Sequence, residues 1–403
     1  MSDSYQQTSA ERAAAAAAAA APPAAPTYSA ARVAAAAVAD FYACHAPPPA
    51  SEAGEPACVP DAPAIATLVD AAFWASLLRE EGRSPRISLA YVPPDRAGEP
   101  MTFARPLPLA PDSLVRLAPA VERPGVHLGV WDDGRGGGPR VWGAARTLPE
   151  RCLVLEVVEP GLLVVKYRRG VDTGKFGNIA VLQGDRVRVV DERSARLPDA
   201  PALLAALVDP DAPPRSWADA RNELVQLAVS MRGHGRGGSL LVVPSGSDTW
   251  RESIVQPVSY AIAPAFARLA ELLRMPPPER GRAGGWDGVR RLVDAIAGLT
   301  AVDGAAVMTD RYEVLAFGAK IGRRDGYGAV ERVVVTEPVL DDVPIVVAPA
   351  QLGGTRHLSA AQFVHDQSDA LALVASQDGR FTVFAWSPSE AMVHAHRIEA
   401  LLY

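Results

Sequence analysis

Two short motifs in the C-terminal part of the chain have the residue types and the order for chemistry on a phosphate-bearing ligand. The first is Asp303-Gly304-Ala305, and the second is Gly354-Thr355-Arg356-His357. A carboxylate at a strand end can ligate Mg²⁺ or Mn²⁺, or accept a proton from a ribose hydroxyl. Gly304 and Ala305 leave no bulky side chain between a ligand and the backbone. In the second motif Gly353 and Gly354 permit close approach, and the start of a helix favours an anion. Thr355 offers a hydroxyl and a helix cap. Arg356 supplies a fork of donors and His357 one more. Each motif alone reads more readily as ordinary structure, a turn in the first case and a helix start with surface charge in the second. Their order, between apolar runs, makes the pair informative.

Other candidates are weaker. Gly170-Val171-Asp172-Thr173-Gly174-Lys175-Phe176 resembles a phosphate loop, but it has one residue too few between its glycines. It also carries Phe176 where a magnesium-binding hydroxyl is needed, so it reads as a turn. His394 and His396 fall in a segment expected to be helical, where i and i+2 do not share a face, so they read as a surface pair. His365-Asp366 has no third ligand nearby in sequence and reads as a polar helix end. Ser245-Gly246-Ser247-Asp248 follows a strand and reads as a turn or a pocket edge. No Gly-x-Ser-x-Gly elbow and no His-Glu-x-x-His metal motif occurs.

The elements that must position these residues belong to a chain of 403 residues, 49% hydrophobic and 21% charged, with a formal net charge of −6. That length suggests two or three domains. The charge balance argues against a broad DNA- or RNA-binding surface. Cys44, Cys58 and Cys152 are scattered, which fits a reducing compartment and excludes a disulfide scaffold. Ala13–Ala21 is an unbroken alanine run with Arg12 as the only early basic residue. It lacks the character of a secretory leader, and no run reaches about 18 strongly apolar residues. A disordered low-complexity tail, no membrane span and a cytoplasmic location are expected.

Residues 1–62 read as an Ala/Pro-rich tail with a short helix (Ser29–His45) and a linker. Residues 63–200 read as a strand-rich α+β N-terminal domain: a helix over Ile65–Glu81 with Gly82 past its end, then strands at Ile87–Val92, Val126–Trp131, Val141–Ala144, Leu153–Val158, Leu162–Tyr167, Ile179–Leu182 and Val187–Val190. Residues 216–403 read as an α/β domain with a mixed sheet and helices on both faces. Its helices are expected at Ser216–Met231, Ala263–Leu273, Trp286–Gly298, Thr355–Val364 and Glu390–Leu402, with a hairpin of Ala370–Ser376 and Arg380–Ala385. No internal repeat is visible.

Over about residues 217–390 the chain resembles the diadenylate cyclase fold. The resemblance rests on Gly237–Val243, Asp303-Gly304-Ala305, Gly354-Thr355-Arg356-His357, Ser368-Asp369-Ala370-Leu371 and Ser376-Gln377-Asp378-Gly379, five motifs in the family's order. It implies that Asp303 assists a metal and activates a ribose hydroxyl, and that Thr355, Arg356 and His357 hold phosphates. The chain departs from the family at Leu358, where an arginine is usual, and in the hairpin at Gln377-Asp378, where two glutamates are usual. A lost charge-assisted contact is worth about 1.5–3 kcal/mol. The runs Gly354–Gln367 and Ala375–Phe384 resemble a group of non-cyclase relatives, the DACNV type, proposed as nucleotide sensors in bacterial conflict systems.

The expectation is therefore a non-catalytic nucleotide-binding sensor. Its ligand residues would be Asp303, Gly304, Ala305, Gly354, Thr355, Arg356 and His357. Its ligand would be a nucleotide or dinucleotide, with Mg²⁺ or Mn²⁺ accompanying it where a metal is used, and a homo-oligomer or an effector partner is implied. Two alternatives stay open: an active diadenylate cyclase making cyclic di-AMP from ATP, and a scaffold whose fold has lost its ligand.

Overall fold

The computed structural model describes residues 27–45, 58–123, 125–132, 134, 138–169, 176–191, 221–276 and 285–403. The alanine run, the phosphate-loop lookalike at 170–175 and the start of the helix expected from Ser216 lie outside them. The architecture is mixed α/β, built on two mixed sheets.

Helices α1 (Ala30–Cys44), α2 (Ala62–Leu77) and α3 (Pro111–Val121) pack on one face of the first sheet. Helix α1 joins this core through Ala30, Ala31, Ala34, Ala35, Val38 and Tyr42, while Val33 is exposed. The carboxylate of Asp61 caps α2 by accepting the Ala64 amide at 2.8 Å, with Pro63 in the first turn. That helix ends at Leu77, short of the expected Glu81, so Gly82 is a turn residue and not its cap. The strands are β1 (Ile87–Tyr91), β2 (Met101–Pro108), β3 (His127–Trp131), β4 (Arg140–Ala145), β5 (Leu153–Glu159), β6 (Leu162–Arg168), β7 (Phe176–Gln183) and β8 (Arg186–Val189). Their order is β2-β4-β3-β1-β5-β6-β7-β8, with only β1 and β3 parallel. The edge strand β2 and helix α3 escape the sequence patterns, because β2 is exposed along its length and carries Pro106 and Pro108, which only an edge tolerates.

The second sheet contains β9 (Gly238–Val243), β10 (Tyr260–Phe266), β11 (Ala305–Thr309), β12 (Val314–Ala319), β13 (Val333–Thr336), β14 (Ile345–Val347), β15 (Leu371–Ala375), β16 (Phe381–Ser387) and β17 (Met392–Arg397). Helices α4 (Arg221–Gly233), α5 (Arg268–Arg274) and α6 (Gly285–Leu299) cover one face, and α7 (Thr355–Asp366) covers the other. On α6, Val289, Val293, Ile296 and Ala297 form the buried stripe. Strands β9 and β11 are buried at every position, as central strands covered on both faces must be.

Two expected helices are wholly or partly strand: the one over Ala263–Leu273 begins in a strand and continues as α5 (Arg268–Arg274), and the closing one is mostly strand. Tyr260–Phe266 is β10, at the sheet edge, where Pro264 is harmless; inside a helix it would have removed a backbone bond. The closing helix is β17 followed by a single turn at Glu399–Leu401. Its residues Met392 to Arg397 pair with β16, and Val393 to His396 pair with β13 as well, so His394 and His396 share a strand face and are buried, with ring centroids 5.7 Å apart. They are not a surface pair.

The two sheets repeat one topology. The second runs β10-β12-β11-β9-β15-β16-β17 before its two extra strands, which is the first sheet's order of second, fourth, third, first, fifth, sixth and seventh strand. The parallel pair falls at the same place, β1 with β3 and β9 with β11. Registers agree as well: Leu89 pairs with Leu128 and Leu155, and Leu240 pairs with Ala306 and Leu373. The second unit differs by an insertion after β12 that contains β13, β14 and α7. The units meet where the isolated bridge Val190–Val339 joins the β8 side to the segment after β13, and where Leu162, Val164, Val181, Val190 and Ala400 share a small core.

Candidate functional site

The seven residues singled out in the sequence line one cavity of about 440 Å³ in the second unit, together with Ser239, Lys320, Ser359, Ser376 and a few apolar neighbours. Three elements converge there: the start of β11, the end of β12 and the N-terminus of α7. Sequence reasoning missed Lys320, Ser239 and Ser376. Lys320 had a signal, since the chain has only three lysines, Lys166, Lys175 and Lys320, among many arginines.

Local chain geometry explains the glycines. Gly304 has φ of 112°, and a Cβ there would come within 2.5 Å of the Gly318 carbonyl carbon. Only glycine lets the β11 start close onto β12. Gly237 has φ of 71°, and a Cβ there would meet the Arg356 guanidinium at 3.0 Å, so the loop before β9 makes room for the arginine. A Cβ on Gly353 would strike the His357 ring at 2.8 Å, whereas Gly354 faces open space.

Gly354, and not Thr355, is the N-cap of α7, and no side chain caps that helix. Thr355 is its first residue, and its exposed hydroxyl borders the cavity. The amides of Thr355 and Arg356 therefore lack side-chain acceptors and remain available to an anion, whereas the His357 amide donates to the Gly354 carbonyl at 3.0 Å. Arg356 is half-buried and has no carboxylate partner among the described residues. His357 is buried and packs edge-on to Phe384, with ring centroids 6.1 Å apart. Burial pushes its pKa below the usual range, against the opposing pull of Asp378, so it is a neutral donor or acceptor near pH 7.

Asp303 projects into solvent and is ion-paired to Lys320. The hydrogen bond and charge of Lys320 hold its carboxyl below the ordinary range, with Arg356 adding a smaller pull. A divalent cation wants several oxygen ligands. Here one carboxylate is already engaged by a lysine, and among the described residues no group of three or more His, Cys, Asp or Glu side chains could hold a metal. The donor set does not fit a protein-held Mg²⁺ or Mn²⁺.

The two departures from the cyclase pattern take different places. Leu358 lies outside the cavity lining, 43% exposed. In the hairpin, Ser376 lines the cavity, while Asp378 turns to the junction between the units, 3.4 Å from Arg380. His365 and Asp366 end α7 as a polar network, Asp366 accepting from the Arg324 amide at 2.9 Å and from Gln362 at 2.8 Å. Ser245 is bound to Asp310 in a turn outside the cavity.

The comparison with known families falls on the first unit. Residues 54–146 match the family model of the probable sensor domain DACNV. The match spans α2 to β4, in the unit opposite to the one whose motifs suggested the resemblance. No curated protein matches the chain. Among the described residues no helix is long and apolar enough to cross a membrane.

Proposed function

We propose that the chain is a nucleotide-binding sensor whose ligand occupies the cavity of the second unit and is held without turnover. The observation that carries this is Arg356, a half-buried guanidinium with no carboxylate partner among the described residues, set at the N-terminus of α7 beside Lys320. An unpaired, partly desolvated cation at a helix N-terminus suits a phosphate. The Thr355 hydroxyl and the open Gly354 backbone complete that grip, while Ser239 and Ser376 offer hydroxyls to a sugar or base.

Binding without turnover follows from the charges. Phosphoryl chemistry on ATP needs its developing charge neutralised by metal and cationic groups together. Asp303 is committed to Lys320, and in the hairpin that carries two glutamates in cyclases Asp378 stands outside the cavity lining. The sensor description of the matched family agrees with this reading. A role in a bacterial conflict or signalling system, acting on the cytoplasmic nucleotide pool, is the biological setting it implies.

Calorimetry with ATP, NAD and cyclic dinucleotides tests the reading. One of these is expected to bind, with affinity lost in Arg356→Ala. No binding by any of them leaves the scaffold alternative. Incubation with ATP and Mn²⁺, read by mass spectrometry, is expected to return ATP intact; a cyclic dinucleotide product would make the chain a cyclase.

A further inference from the structure

The repeated topology makes the ligand pocket of one unit a map for the other. Aligned on Leu89 and Leu240, Ser88 takes the place of Ser239 and Glu156 that of Val374, each pair being cross-strand partners. His127 takes the place of Ala305, because each begins the parallel strand and pairs with the last residue of the next, Ala145 or Ala319. At that place the first unit has its own cavity of about 260 Å³, lined among others by Arg86, Ser88, Arg123, His127 and Glu156.

The chemistry of this cavity is not that of a core. Ser88 Oγ and His127 Nδ1 are 2.7 Å apart. Glu156 is paired to the buried Lys166 at 2.6 Å. Burial holds the His127 pKa below its usual range, with Glu156 pulling the other way. In the second unit the equivalent positions are small or apolar, and α7 lies over them. Among the described residues no α-helix covers this face of the first sheet, which is opposite α1 to α3, and Lys166 and Arg168 stand where Phe384 and Trp386 stand in the second unit. Buried polar groups carry a desolvation cost without a packing gain, and here they meet at the strand ends that form a pocket in the other copy. Two exposed guanidinium groups, Arg86 and Arg123, flank the mouth.

We propose that the first unit holds a second, separate binding site, selective for a phosphate monoester with a small polar body. Arg86 and Arg123 take the phosphate, and Ser88, His127 and Glu156 receive hydroxyl or ring polar groups. The cavity is smaller than that of the second unit, so the ligand is a single phosphorylated sugar or mononucleotide and not a dinucleotide.

The chain's 7 histidines allow a direct test by ring ¹⁵N NMR on the full-length protein. The His127 signals are assigned by their loss in His127→Gln, or by their shift in Ser88→Ala if the first variant fails to fold. Inorganic phosphate, ribose 5-phosphate and AMP are titrated into the Arg356→Ala protein. Ribose 5-phosphate or AMP is expected to move the His127 signals saturably while those of His357 stay in place. Adding Arg123→Ala should weaken that response about tenfold, the equivalent of one charge-assisted contact. His127 signals that do not move with any probe, or that respond equally in the Arg123→Ala protein, overturn the proposal. Movement of His357 alone in the unmutated chain also overturns it while leaving the site in the second unit intact.

Discussion

Replacing Arg356 by alanine isolates the grip on phosphate. The side chain is half-buried, has no carboxylate partner among the described residues, and lies against Gly237 with room made for it by that residue's missing Cβ. Its removal breaks no ion pair, so the free protein should unfold within about 0.5 kcal/mol of the parent. The loss falls on the complex. A hydrogen bond between charged groups is worth about 1.5–3 kcal/mol, and each 1.4 kcal/mol is about tenfold in Kd. Nucleotide affinity should therefore drop by about 10- to 100-fold. Arg356→Lys should recover part of this, since an ammonium keeps the charge but not the planar fork. The assay is isothermal calorimetry of both variants at two salt concentrations, with urea unfolding in parallel. Affinity within twofold of the parent, at unchanged stability, would refute the assignment of Arg356 to the phosphate. A large fall in stability would refute the premise that the arginine lacks a structural partner.

Three further outcomes are expected. Gly304→Ala should destabilise by about 2–4 kcal/mol, because its φ of 112° and a Cβ 2.5 Å from the Gly318 backbone leave no room to relax, whereas Gly354→Ala, at an N-cap where alanine is poorer, should cost only about 0.5–1 kcal/mol but weaken ligand binding by filling open cavity space; equal stability losses would contradict this. His396 is held down to about 3, chiefly by burial and then by the His394 charge, while the unfolded chain takes up that proton near pH 6.5. The unfolded state thus binds more protons between those values, and stability should fall as pH drops from about 6.5 towards 3, by up to about 1.4 kcal/mol per pH unit; His396→Leu should flatten the slope in pH-dependent urea melts. Arg188→Ala should strand Glu399, whose side chain is 7% exposed and 3.0 Å from that guanidinium, at a cost of about 3 kcal/mol to the junction of the units; hydrogen exchange at residues 399–403 should rise, and Glu399→Gln on top should reverse part of it.

The residues that line the cavity were legible one by one. Asp303, Gly304, Ala305 and Gly354 to His357 could be named because glycine, carboxylate and guanidinium are rare next to one another between apolar runs. Their convergence needed the parallel pairing of β9 with β11 and the return of α7 over the sheet, which no local pattern encodes. Lys320 was missed because a lysine at a strand end is ordinarily a solvated terminus. The hairpins read correctly, since turns such as Glu159-Pro160-Gly161 punctuate them locally. The failures were the edge strand β10, whose alanines read as the start of the helix that begins only at α5, and β17, where alternation of His394, Ala395 and His396 was overridden by the helix-forming Glu-Ala-Leu-Leu that follows.

The repeat was invisible for a physical reason that also separates the two pockets. A strand position records what covers it. Where α7 lies on the second sheet, Val374, Phe384 and Trp386 face it and read as apolar core. On the face of the first sheet opposite α1 to α3, where the described residues place no α-helix, the same register positions are Glu156, Lys166 and Arg168, which read as a different kind of strand. Aligning the two by residue type therefore fails at the positions that matter for a ligand, while aligning them by hydrogen-bond register succeeds. The insertion that brought α7 also brought Gly354, Thr355, Arg356 and His357, so a phosphate grip built on a helix N-terminus is available only to the second unit. The ligand proposed for the first unit is met instead by Ser88, His127 and Glu156 on the strands and by Arg86 and Arg123 at the mouth.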